Sequence, residues 1–167
     1  MTDAKFAHAR DYFLLELRRA LWVERKLARE VLPRLAERAE DAELKRLVDD
    51  HRAATEEQEQ NLLRVFELLG EEPKAEHSPV VDGVVQEHES AEARVAERSL
   101  SDLVHAAAAQ RTEHYELALY EQLVALASAL GEDEAARLLD ENRIQEQRAL
   151  ERVQAAAEPL RGVLTAR

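Results

Sequence analysis

Apolar residues recur every three or four positions along most of the chain, and four stretches hold that rhythm long enough to be helices. The first seam runs Leu14, Leu17, Leu21, Glu24, Ala28, Val31, Leu35, and the second runs Val48, His51, Thr55, Gln58, Leu62, Val65. The third reads Leu103, Ala106, Gln110, Glu113, Leu117, Tyr120, Val124, Ala127. The fourth reads Leu138, Asn142, Gln145, Ala149, Val153, with Glu146 beside it. Breakers divide these stretches: Gly70 and Pro73, then Pro79 and Gly83, bracket a polar connection from Glu71 to Asp82, and Gly131 marks a short break. Pro159 with Gly162 opens a tail. The spacing predicts helix A over Thr2 to Arg38, B over Asp41 to Leu69, C over Ser99 to Ala129 and D over Asp133 to Ala156. A shorter helix is expected over Val84 to Glu97. Ser99 and Asp102 have capping-box spacing, and Pro33 should kink helix A.

Short A–B and C–D turns make antiparallel hairpins, and the long B–C segment is free to cross the bundle. That is the connectivity of an all-α, ferritin-like antiparallel four-helix bundle, here over residues 1–158 with a tail at 159–167. An ordinary up-down bundle or a coiled-coil dimer shares the pattern. Composition removes the β alternatives, since 167 residues contain four Gly, four Pro and only 4% aromatics. With 35 acidic against 23 basic residues the net charge is −12, which argues against a nucleic-acid partner. There is no Cys, hence no thiolate ligand. The longest apolar region, Leu117 to Leu130, is interrupted by Glu121 and Gln122 and is too short to span a bilayer, so no membrane association is expected. The first residues lack a basic stretch followed by an apolar one, so a cytoplasmic location is expected.

The seams carry polar residues where a core is expected. Glu24 and Glu113 each occupy a mid-helix seam position, and a buried carboxylate must be neutralised by a proton, a partner or a metal. Counting back from the turns puts Glu24 near the height of Glu56, and Glu113 within about one turn of Glu146. Acidic groups on facing helices with an occasional His are what iron and manganese centres are built from. Each residue also has a plainer reading. Glu24 could pair with Arg25 or Arg29 at the seam edge, and His51 could be a hydrogen-bonded core histidine. On a helical wheel Glu56, Glu116 and Glu141 fall toward solvent. His8, His77, His88 and His105 have no partners at metal spacing and are assigned no role.

Leu27 to Leu44 (LAREVLPRLAERAEDAEL), Val65 to Gly70 (VFELLG), Ala107 to Tyr120 (AAAQRTEHYELALY) and Leu138 to Glu146 (LLDENRIQE) resemble the YciE/YciF-like family of bacterial ferritin-like proteins. The resemblance covers most of the chain, from Leu17 to Gly70 and from about Leu103 to Glu151. It implies a ferritin-like fold, often dimeric, a link to stress response, and a dimetal carboxylate centre of iron or manganese acting on peroxide or dioxygen. Carried over by position, the implied ligands are Glu24, His51, Glu113, Glu116 and Glu146. The chain departs from the family at Ala53, Ala54 and Gln145, where carboxylates are usual, and Asn142-Arg143 replaces a Thr-Leu pair. An alanine cannot bind a metal, and a neutral amide is a poor ligand for a hard cation. Two functions follow. One is a dimetal enzyme taking a small oxidant; the other is a degenerate domain without a complete metal site, acting as a non-enzymatic dimeric binding or structural module. In the second, Arg111 or Arg143 could neutralise the leftover glutamates.

Overall fold

The computed structural model describes residues 5–165, and the side chains of residues 98, 99 and 163–165 lie outside that description. The elements, in order, are α1 (Ala9–Lys26), a π turn (Leu27–Val31), α2 (Leu32–Arg38), α3 (Ala42–Leu69), α4 (Pro79–Glu92), α5 (Arg98–Ala129) and α6 (Asp133–Thr165). No strand occurs among the described residues. α1 with α2, and then α3, α5 and α6, form a four-helix bundle. α5 packs most extensively on α6, α6 also packs on α3, and α4 lies along α5 as part of the crossover. No helix among the described residues is long and apolar enough to cross a membrane.

Local chemistry sets the boundaries. The first helix starts at Ala9 rather than near Thr2, because the Asp11 carboxylate accepts the N–H groups of Ala7 and His8 (both 2.9 Å) and so caps it there. Residues 2–4 of the expected helix lie outside the described residues. α3 is capped by Asp41, which accepts from the Leu44 N–H at 2.8 Å. It ends at Gly70, whose φ of +67° is open to glycine at little cost. The crossover helix begins at Pro79, earlier than the expected Val84, because proline suits the first turn of a helix, where its missing N–H has no partner to lose. The expected capping box does not assign Asp102 correctly, and its other member, Ser99, lies outside the described side chains. The Asp102 carboxylate instead accepts the N–H groups of Glu40 and Asp41, both at 2.9 Å, pinning the start of α5 to the α2–α3 turn. Pro159 does not end the last helix, which continues to Thr165.

Pro33 acts one turn upstream of its own position. Its ring clashes with the carbonyl four residues back, at Arg29, and it offers that carbonyl no N–H. The backbone relieves this by widening into the π turn, whose last bond runs from the Leu32 N–H to the Leu27 carbonyl.

Two apolar clusters close the bundle. Phe13, Leu17, Leu21, Leu62, Phe66, Tyr120, Leu123 and Leu139 pack near the α5–α6 turn. Val23, Leu27, Leu35, Leu44, Val48, Val81 and Ala106 pack toward the α2–α3 turn. Between the two clusters the interior is polar.

Candidate metal centre

Each long helix sends polar side chains into this waist. α1 contributes Glu24 (1% exposed), α3 contributes His51 and Gln58, α5 contributes Glu113 and Glu116, and α6 contributes Asn142 and Glu146. One ligand atom from each of His51, Glu113, Glu116 and Glu146 lies within 4.8 Å of the others, the spacing a single cation can bridge. His51 Nε2 stands 3.2 Å from a Glu113 oxygen, at an angle that makes no hydrogen bond. Glu24 lies beside this group and heads its own chain of hydrogen bonds, which runs through α5 and α6 to α3. The Tyr120 hydroxyl donates to Glu24, Asn142 Nδ2 donates to the Tyr120 oxygen at 3.0 Å, and Asn61 Nδ2 donates to Asn142 Oδ1 at 2.7 Å. Asn142 Nδ2 also donates to the Gln58 carbonyl at 3.2 Å, and the Gln58 amide donates to Glu146.

What these bonds leave over defines the site. Glu24 Oε2, Glu113 Oε2, Glu146 Oε2, both oxygens of Glu116 and His51 Nε2 are buried without a hydrogen-bond partner. An unpaired buried polar atom costs about 1–3 kcal/mol, so a folded protein rarely collects several at one place unless something binds there. The same congestion pushes the Glu24, Glu113 and Glu116 carboxyls well above the ordinary carboxylate range. Burial is the main cause for all three, with the neighbouring Glu146 charge next. Burial and the adjacent Glu24 likewise raise the Tyr120 hydroxyl, which keeps its proton and remains a donor. Four carboxyl groups and an imidazole with unsatisfied lone pairs are a hard-cation donor set, and the residues present fit a metal ion.

The structure draws together His51, Glu113, Glu116 and Glu146 and sets Glu24 against them, so all five of the sequence-derived residues reach the waist. Glu116 corrects the helical-wheel reading: it is fully buried, because α5 is covered by α1, α4 and α6 and has no single solvent face. Glu56 and Glu141 are exposed, as the wheel placed them. The plainer reading of Glu24 fails, since Arg25 (2.7 Å) and Arg29 (3.0 Å) both pair with Glu59 instead. Neither expected neutralising arginine enters the cluster. Arg143 binds Asp140 at 2.6 Å, and Arg111 lies beside Glu87 at the surface. Tyr120, Gln58 and Asn142 were on the seams without a role. The available signal was their spacing, seven residues from Glu113 to Tyr120 and four from Asn142 to Glu146, which stacks them on the same helix faces. His88 and His105, assigned nothing from the sequence, meet between α4 and α5, with Nε2 to Nδ1 at 2.8 Å.

The family described as a domain of unknown function (DUF892) matches residues 8–163. Two solved structures superpose on the chain with a TM-score of 0.88. One is YcfI from Rhodopseudomonas palustris, 29% identical, covering 92% of this chain and 98% of its own. The other is the E. coli stress protein YciF, 26% identical, covering 94% of this chain and 99% of its own. A protein from Xanthomonas campestris, at 22% identity and a TM-score of 0.72, covers 95% of each chain and shares the fold. No curated protein matches the sequence. The chain belongs to the DUF892 family and is YciF-like in fold.

Proposed function

We propose that this DUF892 member is a ferritin-like stress-response protein whose waist holds an iron or manganese centre acting on peroxide or dioxygen, and that it works as a homodimer. The observation that carries the reading is the set of unpartnered buried atoms on Glu24, His51, Glu113, Glu116 and Glu146. His51, Glu113, Glu116 and Glu146 would hold a first ion, and Glu24 would extend the donor set toward a second. The bound metal would supply the electron exchange with the oxidant. The protein's own groups do the rest. Tyr120 fixes one Glu24 oxygen and leaves the other unpartnered, Asn142 orients the Tyr120 hydroxyl, and Gln58 does for Glu146 what Tyr120 does for Glu24. The apolar clusters close the bundle above and below the centre. Protons held by Glu24, Glu113 and Glu116 leave as a cation enters.

The test is elemental analysis of tag-free protein before and after anaerobic Fe(II) or Mn(II) addition and desalting. Stoichiometric retention that disappears in the Glu113→Gln, Glu116→Gln double variant is expected. A wild-type protein that retains none would overturn the reading.

A second reading is favoured by the Gln58–Glu146 bond and by Ala53 and Ala54, which leave α3 without a carboxylate in the cluster. In that case the cluster stays protonated and empty, and the chain serves as a dimeric structural or binding module. Absence of metal in a protein that sediments as a dimer is its signature.

A further inference from the structure

The π turn does more than accommodate Pro33. It also forms one wall of a cavity of about 70 Å³, which lies between the π turn, α4 and α5. One water needs roughly 10–15 Å³ on this measure, so the space takes several waters or one small organic molecule. Leu27, Val31, Leu35, Val84, Val85 and Ala109 make its walls. At its inner end stand His51 and Glu113, each with a buried atom that has no hydrogen-bond partner. The cavity therefore runs from the surface to the waist. Its roof, α4, is fastened to the bundle by the His88–His105 hydrogen bond and by the buried Val81.

The charges at its mouth cancel. Lys26 pairs with Glu30 and Arg38 with Glu92, both at 2.6 Å, and one further residue of each sign, Arg34 and Glu89, lines the cavity. No net field draws an ion in, and the dry walls favour an apolar body. Two unsatisfied polar groups at the blind end ask for one polar terminus.

We infer that this cavity is a binding site for a small neutral organic molecule with an apolar body and a single hydroxyl-type end directed at His51 and Glu113. It deepens the reading of the centre and rests on it in one respect: if the centre acts on peroxides, the ligand class is an organic hydroperoxide rather than hydrogen peroxide, which would leave the apolar walls uncovered. Binding to the cavity itself requires no metal.

The probe is 1-propanol, an unreactive stand-in small enough for the space, titrated into metal-free protein and followed by saturation-transfer NMR, with 1-chloropropane as the comparison. Saturable binding is expected, tighter for the alcohol than for the chloride. It should weaken by about tenfold or more in Val85→Phe and in Ala109→Phe, which fill the cavity from α4 and α5 respectively. Two variants on different helices guard against one failing to fold, and the melting temperature of each is measured alongside. Absence of saturable binding, or binding unchanged in both folded variants, would overturn the inference. Metal content is measured on the same preparations. Alcohol binding by protein that takes up no metal would remove the centre while supporting the cavity, and metal uptake without alcohol binding would do the reverse.

Discussion

Around Leu62, Phe66 and Leu123 the bundle is closed by side chains with no exposed surface and no polar atoms. About 15 Å along the same helices, around His51, Glu113 and Glu116, the buried interior instead holds carboxyl groups with unpartnered oxygens. Both regions are buried, yet only the first is built to hold the fold together. The apolar ends supply the burial energy, and the waist consumes part of it by keeping lone pairs unsatisfied. A protein selected for stability alone would extend the leucines through the middle. That it does not is the physical reason to look for a function there.

The contrast can be broken from either side. The largest effect is expected at the apolar end: Leu62→Ala should cost about 2–5 kcal/mol in chemical denaturation, with or without added metal, because it leaves a cavity in a closed cluster. At the waist the sign should reverse. Glu116→Leu deletes two unpartnered oxygens and no hydrogen bond, so metal-free protein should gain about 1–3 kcal/mol. Metal-supplemented protein should lose the stabilisation that a bound ion provides. A Glu116→Leu variant less stable than wild type in chelator would show that the waist carboxyls hold the fold after all.

The gentlest probe is pH. Glu24, Glu113 and Glu116 hold their protons more tightly when folded than when unfolded, since burial and mutual repulsion raise them well above 4.5. The folded state therefore binds more protons than the unfolded one above that value. The stability these groups contribute is fully present below about 4.5 and is lost as pH rises through their elevated folded values. Denaturation midpoints of metal-free wild type should fall relative to those of Glu116→Leu as pH increases from about 5 to about 8. Parallel profiles would mean that Glu116 titrates normally.

Much of this was legible in the chain, for reasons that differ by element. The long helices and the Gly70 and Gly131 breaks follow from local periodicity and turn chemistry; the structure keeps B, C and the start of D almost to the residue, while A begins at Ala9 and D runs on to Thr165. Glu24, His51 and Glu113 were found because each interrupts an apolar seam, an anomaly visible along one helix. Glu116 was missed on the wheel because a wheel assumes one buried face, and α5 is enclosed on several sides; only the family resemblance pointed to it. The π turn and the continuation of α6 past Pro159 were hidden because a proline announces a conflict without saying how the backbone resolves it. The Arg25 and Arg29 pairing with Glu59 depends on how α1 is rotated against α3, which no single-helix pattern contains.

The Asp102 carboxylate has a consequence in time as well as space. Amide protons in a short turn ordinarily trade with solvent almost freely, yet those of Glu40 and Asp41 are held by an acceptor about sixty residues away on the other hairpin. They exchange when the Asp102 contact between the two hairpins opens. Two protons in an unremarkable bend thus act as a clock on the separation of the halves of the molecule, readable by isotope exchange without a label or a mutation.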